Sequence, residues 1–102
     1  MYKTLGSHNY YVYILTNKTI AVLYIGMTNS LKERLHFHNN PEAHSKSFSH
    51  KYKCKNLIYY ERFSNVEEAI KREKQLKKWR RDKKEWLIKL KNPDLKVLND
   101  EI

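Results

Sequence analysis

Five side chains in this 102-residue chain have types and positions suited to joint chemistry: Tyr13, Tyr24, Arg34, His38 and Glu73. Phenols and an imidazole can pass protons, a guanidinium fork holds an oxyanion, and a carboxylate takes a hard cation. Together they could activate a water and steady the charge that develops as an anionic ester reacts.

The elements that must position them follow from local pattern. Tyr10 to Thr16 and Thr19 to Gly26 are rich in aromatic and β-branched residues, and Asn17-Lys18 can turn between them, which predicts a β-hairpin. A hairpin centred between Lys18 and Thr19 sets Tyr13 directly opposite Tyr24, with Cβ atoms about 5 Å apart. Ser30-Leu31-Lys32-Glu33 is a capping box that opens a helix, and Asn39-Asn40-Pro41 stops it. On that helix Leu31, Leu35 and His38 share a stripe with Arg34 at its flank, so Arg34 and His38 lean toward the sheet.

Residues 41 to 53 read as a polar, basic loop in which Lys46, His50 and Lys51 interleave with Phe48 and Tyr52, a mixture suited to phosphates and unstacked bases. Leu57-Ile58-Tyr59-Tyr60 predicts a third strand, and its continuous apolar run suggests a central position. Ser64-Asn65-Val66-Glu67 is a second capping box, opening a helix that runs to about Lys78 or Arg80. Val66, Ala69 and Ile70 define its buried stripe, with Leu76 at the edge and Glu73 in the middle. A carboxylate aimed at a core is costly unless compensated, so Glu73 is either a functional group or half of a structural ion pair with Arg34 or Lys77. A third helix follows Asp82, carries Trp86, Leu87 and Leu90, and ends at Asn92-Pro93.

Composition limits the partners. Twenty-one Lys and Arg against eleven Asp and Glu give a net charge of +10, which favours a polyanion. Between Lys71 and Lys91, 11 cations face three acids, Glu73, Asp82 and Glu85, a density that fits a phosphate-tracking surface as well as a solvated face. No membrane partner is expected, since no apolar run approaches spanning length or a signal peptide, and the reading is of a cytoplasmic protein. One cysteine, Cys54, excludes an internal disulfide, and His44 and His50 near it read as scattered loop histidines. Residues 1–9 are a lead-in to a single domain spanning 10–102.

Tyr11-Val12-Tyr13, Tyr24-Ile25-Gly26, Leu31-x-x-Arg34-x-x-x-His38 and Glu73 within Arg72-Glu73-Lys74-Gln75-Leu76 follow one another in an order that resembles the GIY-YIG nuclease superfamily, in particular its small stand-alone members. Tyr11 stands where the first triplet has glycine and Val12 where it has isoleucine, while Tyr13 keeps the functional position. The family's asparagine near the end of the domain corresponds to Asn92 or Asn99.

The resemblance implies an α+β fold, a three-stranded antiparallel sheet flanked by helices, and one divalent ion, Mg²⁺ or Mn²⁺, held by Glu73. It implies structure-selective hydrolysis of DNA phosphodiesters. Tyr24 would be the base for water, Tyr13 its hydrogen-bond partner, Arg34 the cation on the phosphate and His38 a phosphate contact or proton relay. Lys46, His50, Lys51, Lys77 and Asn92 are the expected nucleic-acid contacts. The competing expectation is a catalytically silent adaptor that binds DNA or RNA.

Overall fold

The computed structural model describes residues 9–38 and 53–102, with the side chains of Phe37 and His38 outside the described set. The chain runs β1 (Tyr10–Thr16), β2 (Leu23–Thr28), α1 (Leu31–His38), β3 (Asn56–Phe63), α2 (Val66–Lys78) and α3 (Arg81–Lys91), then a 3-10 turn at Asn99–Glu101. The strands form one antiparallel sheet in the order β2-β1-β3, the expected α+β architecture. Among the described residues, no helix is long and apolar enough to cross a membrane.

Alternation along β1 divides the core in two. Val12 and Ile14 point to one side, where Ile25, Ile58 and Tyr59 of the sheet meet Ala69 and Leu76 of α2 and Leu87 and Ile88 of α3. Tyr13 and Leu15 point to the other, where they pack with Leu57, Cys54 and with Leu31 and Leu35 of α1. Burying Leu76 alone contributes roughly 2 kcal/mol.

β1 is the central strand, which corrects the expectation for β3. β3 lies at an edge, and two features make that edge look interior. A bulge between the Ile14–Tyr59 and Leu15–Leu57 pairs turns both Ile58 and Tyr59 toward α2 and α3 while Leu57 faces the other side. The C-terminal segment then occupies the strand's open backbone. Leu98 N–H donates to the Leu57 carbonyl at 2.7 Å, and Leu57 N–H donates to Asn99 Oδ1 at 2.7 Å. Asn99 Nδ2 reaches the Lys55 carbonyl at 3.0 Å, and Asn92 Nδ2 the Ile58 carbonyl at 2.9 Å. An edge covered in this way is not open to pairing with another strand.

The hairpin register also differs from expectation. Tyr13 pairs with Gly26 and Leu15 with Tyr24, a shift of two residues, because the connection is a loop of six residues, Asn17 to Val22. Asn17 Oδ1 accepts from the N–H groups of Ala21 (2.8 Å) and Val22 (3.2 Å), Thr16 Oγ1 donates to the Val22 carbonyl (2.7 Å), and Ile20 turns the chain at φ 58°. A slip of two preserves the face, so both tyrosines still project to the same side.

The helix starts follow side-chain caps. Ser30 Oγ accepts from Glu33 N–H at 3.4 Å to open α1. On α2 the cap is Asn65 rather than Ser64, its Oδ1 accepting from Glu67 N–H at 2.8 Å and Glu68 N–H at 3.3 Å. The buried stripe of α2 is Ala69 and Leu76, whereas Val66 is exposed. On α3, Leu87 and Ile88 are buried, whereas Trp86 and Leu90 face solvent. Apolar residues lie on opposite sides of that helix, and the short Trp79-Arg80 link from α2 selects which side packs. Trp79 itself is clasped by cations, with Lys83 Nζ 4.2 Å and Arg72 Cζ 5.3 Å from the ring centroid.

Candidate active site

The site is built from the middle of the sheet outward. Tyr13 is 1% exposed, and its ring crosses to β2 over Gly26, where there is no side chain to meet it. A methyl group on Gly26 would lie 2.6 Å from Tyr13 Cζ, well inside contact distance. Glycine is therefore required at this position to let the aromatic ring lie across the neighbouring strand.

Tyr24, two residues before Gly26 on β2, meets that ring diagonally, with centroids 6.3 Å apart and planes inclined at 43°. The Tyr13 hydroxyl hydrogen-bonds to Tyr24 in the sense that keeps Tyr13 protonated. Burial is the main force pushing the Tyr13 phenol far above the ordinary tyrosine range; the charges of Tyr24 and Glu73 push the same way, and Arg34 opposes them. Tyr13 thus remains a neutral donor at any physiological pH, with Tyr24 as its acceptor.

Those same influences locate two more of the predicted groups. Arg34 lies on α1, one turn past the Ser30 cap, on the face of the sheet that carries the tyrosines. Glu73 comes from α2, which packs on the opposite face, in the stripe between Ala69 and Leu76. Its side chain is 21% exposed and pairs with Lys77 at 3.3 Å, so the carboxylate is neither loose in solvent nor sealed in hydrocarbon. Arg34 and Glu73 both act on the Tyr13 phenol, so the set of Tyr13, Tyr24, Arg34 and Glu73 draws on both sides of the sheet.

Among the described residues, no cluster of three or more His, Cys, Asp or Glu could hold a metal. A lone, partly shielded carboxylate nevertheless fits Mg²⁺, which takes one or two carboxylates and fills its shell with water and phosphate oxygens.

The remaining predicted residues fall elsewhere. His38 closes α1, but its side chain lies outside the described residues, as do Lys46, His50 and Lys51. Asn92 is 6% exposed, and its amide is used within the fold. Nδ2 donates to the Ile58 and Lys96 carbonyls, and Oδ1 accepts from Lys96 N–H, all at 2.9 Å. That replaces the expected nucleic-acid contact with a structural one. A second polar network, absent from the sequence reading, lies on the α2 side. Glu61 takes a bidentate contact from Arg72, with both N···O distances 2.9 Å, and accepts from the Tyr59 hydroxyl. It ties β3 to α2. The steric role of Gly26 was also missed, although a glycine inside a strand signals close backbone approach.

Comparison with known proteins bears on the family and the fold. Residues 9–86 match the model of the GIY-YIG catalytic domain. A UPF0213 protein of Bacillus pumilus is 35% identical over 81 residues, covering 79% of this chain and 80% of that protein. A UPF0213 protein of Clostridium perfringens is 39% identical over 82 residues, covering 80% and 85%. The solution NMR structure of a UPF0213 protein from Bacillus halodurans aligns with a TM-score of 0.55 at 30% identity, over 84% of this chain and 88% of that one.

Proposed function

The chain belongs to the GIY-YIG catalytic-domain family, and from that membership we propose that it is a Mg²⁺-dependent endonuclease that hydrolyses DNA phosphodiester bonds by substrate structure rather than sequence. The family supports a nuclease-type role; the ion, the substrate and the selectivity are our reading. The observation that carries it is the hydrogen-bonded Tyr13–Tyr24 pair under the influence of Arg34 and Glu73. Three groups of complementary chemistry acting on one buried phenol are not needed for packing, which any aromatic ring would satisfy.

In this reading Tyr24 takes the proton of the attacking water. Tyr13, locked neutral, donates into the Tyr24 oxygen and stabilises the Tyr24 phenolate that must be present before that proton is taken up. Arg34 presents its planar fork to the phosphate and holds charge in the transition state. Glu73 would hold the divalent ion, which when bound polarises the phosphate and offsets charge on its oxygens. A domain of this size has little surface for reading bases, so backbone and shape contacts dominate selection.

The Glu73–Lys77 pair supports the competing reading, since a carboxylate already balanced by lysine needs no ion. In that case the protein is a binding adaptor for DNA or RNA. Incubating the purified protein with branched, nicked and linear DNA and with RNA, in Mg²⁺ or in chelator, decides between them. Cleavage only with Mg²⁺, lost in Glu73→Ala and Tyr24→Phe, supports the nuclease; tight binding with no cut substrate supports the adaptor.

A further inference from the structure

A shallow cavity of about 230 Å³ opens beside β2, lined by Leu23, Tyr24, Ile25, Lys77 and Lys84. Two of its walls belong to the site already described. Tyr24 is the proposed base, and Lys77 holds Glu73 at 3.3 Å. The third polar group, Lys84 of α3, has no part in the chemistry above.

Lys84 is half-buried, and among the described residues it makes no ion pair. Nearby charges do not explain its placement. Arg81, one turn earlier, is fully engaged: its guanidinium donates to the Ala21 carbonyl at 2.6 Å, to the Ile20 carbonyl, and to Glu85 Oε2 at 2.8 Å. Glu85 is thereby occupied by Arg81, and no carboxylate lines the cavity. Burial, then the Arg81 charge, push the Lys84 ammonium down from the ordinary lysine value. A partly shielded lysine with no ion pair among the described residues, beside Lys77 whose acid is Glu73 of its own helix, is an arrangement an anion would relieve.

We propose that Lys84, with Lys77, forms a subsite beside β2 for a DNA phosphate flanking the scissile one, holding the strand so that the neighbouring linkage lies over Tyr24 and Glu73. The subsite rests on the nuclease reading for the position of the scissile linkage, and on the cavity alone for phosphate binding. It commits to a phosphodiester because the polar side chains at the cavity are two lysines and one phenol, with no carboxylate among the lining residues.

The test is fluorescence anisotropy of a short labelled linear duplex, in chelator so that nothing is cut, across a salt series. Lys84→Met keeps the aliphatic stem and removes the charge. It should weaken binding on the order of tenfold at 0.1 M salt and lower the slope of log affinity against log salt by about one. Lys84→Arg should retain the wild-type slope, and Lys96→Gln, on the β3 side, should leave it unmoved. A folded Lys84→Met with wild-type slope and affinity overturns the subsite. Should that variant melt early, neutral methylphosphonates placed one at a time in the DNA of the wild-type protein provide the second measurement. One substitution beside the cut linkage should weaken binding and cutting together, and an even effect at all positions overturns the proposal. Loss of slope in Lys84→Met with no cleavage by wild type would leave the phosphate subsite standing and reject the nuclease reading instead.

Discussion

Tyr13 and Gly26 face each other across the β1–β2 ladder, and the phenol occupies the space where any other residue on β2 would carry its side chain. The second triplet of the motif thus supplies Tyr24, the base of the proposed mechanism, and Gly26 as the opening through which Tyr13 reaches it. Gly26→Ala should displace the Tyr13 ring, cost about 1–3 kcal/mol by overpacking, and lower the cleavage rate at least tenfold even where the protein remains folded. Thermal melts beside single-turnover rates check this, and full activity in Gly26→Ala would refute the steric account.

Tyr13→Phe removes one hydroxyl and leaves the ring. Because Tyr13 is argued to act through Tyr24, its loss should lower the rate constant for cutting by about 10- to 100-fold with little change in DNA affinity. An equal loss in both would assign the residue to binding instead.

The same substitution tests the buried phenol thermodynamically. The folded-state pKa of Tyr13 lies above that of the unfolded chain, so the folded state keeps a proton that the unfolded state releases above about pH 10. Its contribution is complete below that pH and is lost as pH rises further, at about 1.4 kcal/mol per pH unit. Tyr59, raised by burial and by its bond to Glu61, acts with the same sign. Urea melts from pH 9 to 11 should therefore show a shallower fall for Tyr13→Phe than for wild type; parallel curves would contradict the burial argument.

Glu73→Gln should abolish Mg²⁺-dependent cutting while changing stability by less than about 1 kcal/mol, because among the described residues its ion pair is with a half-exposed lysine. Titration calorimetry with Mg²⁺ should lose its heat in the same variant. A stability loss of several kcal/mol would instead mark Glu73 as a structural group.

Asn92→Ala should behave in the opposite way. It strands two carbonyls and one N–H in a buried place, and should cost about 2–3 kcal/mol. DNA affinity of the folded protein should not change; a clear drop would restore Asn92 as a contact.

Periodicity made the elements of this fold readable in order, because each helix and strand follows its own hydrophobic pattern. The hairpin register escaped because its loop is closed by the Asn17 side chain and by Ile20 at positive φ, with no glycine to mark it. The expected pairing of Tyr13 with Tyr24 is replaced by Tyr13 with Gly26, but the rings still meet diagonally because a slip of two keeps both residues on one face. β3 read as central because its bulge and the Asn92 and Asn99 amides hide an edge, and no local pattern reports cover supplied from some forty residues away. On α3 the run Trp86-Leu87-Ile88-x-Leu90 is apolar around most of the helix, so the buried side was set by tertiary packing. Glu73 stood out because a charge in an apolar stripe is a local inconsistency, and the structure shows it partly shielded and paired with Lys77, one of the two ion-pair partners expected for it.

Tyr13, Tyr24 and Arg34 sit in one half-core, while Glu73 rides on the helix that seals the other. In the nuclease reading neither half holds the whole set, so parting either layer from the sheet would take the reacting groups away from one another.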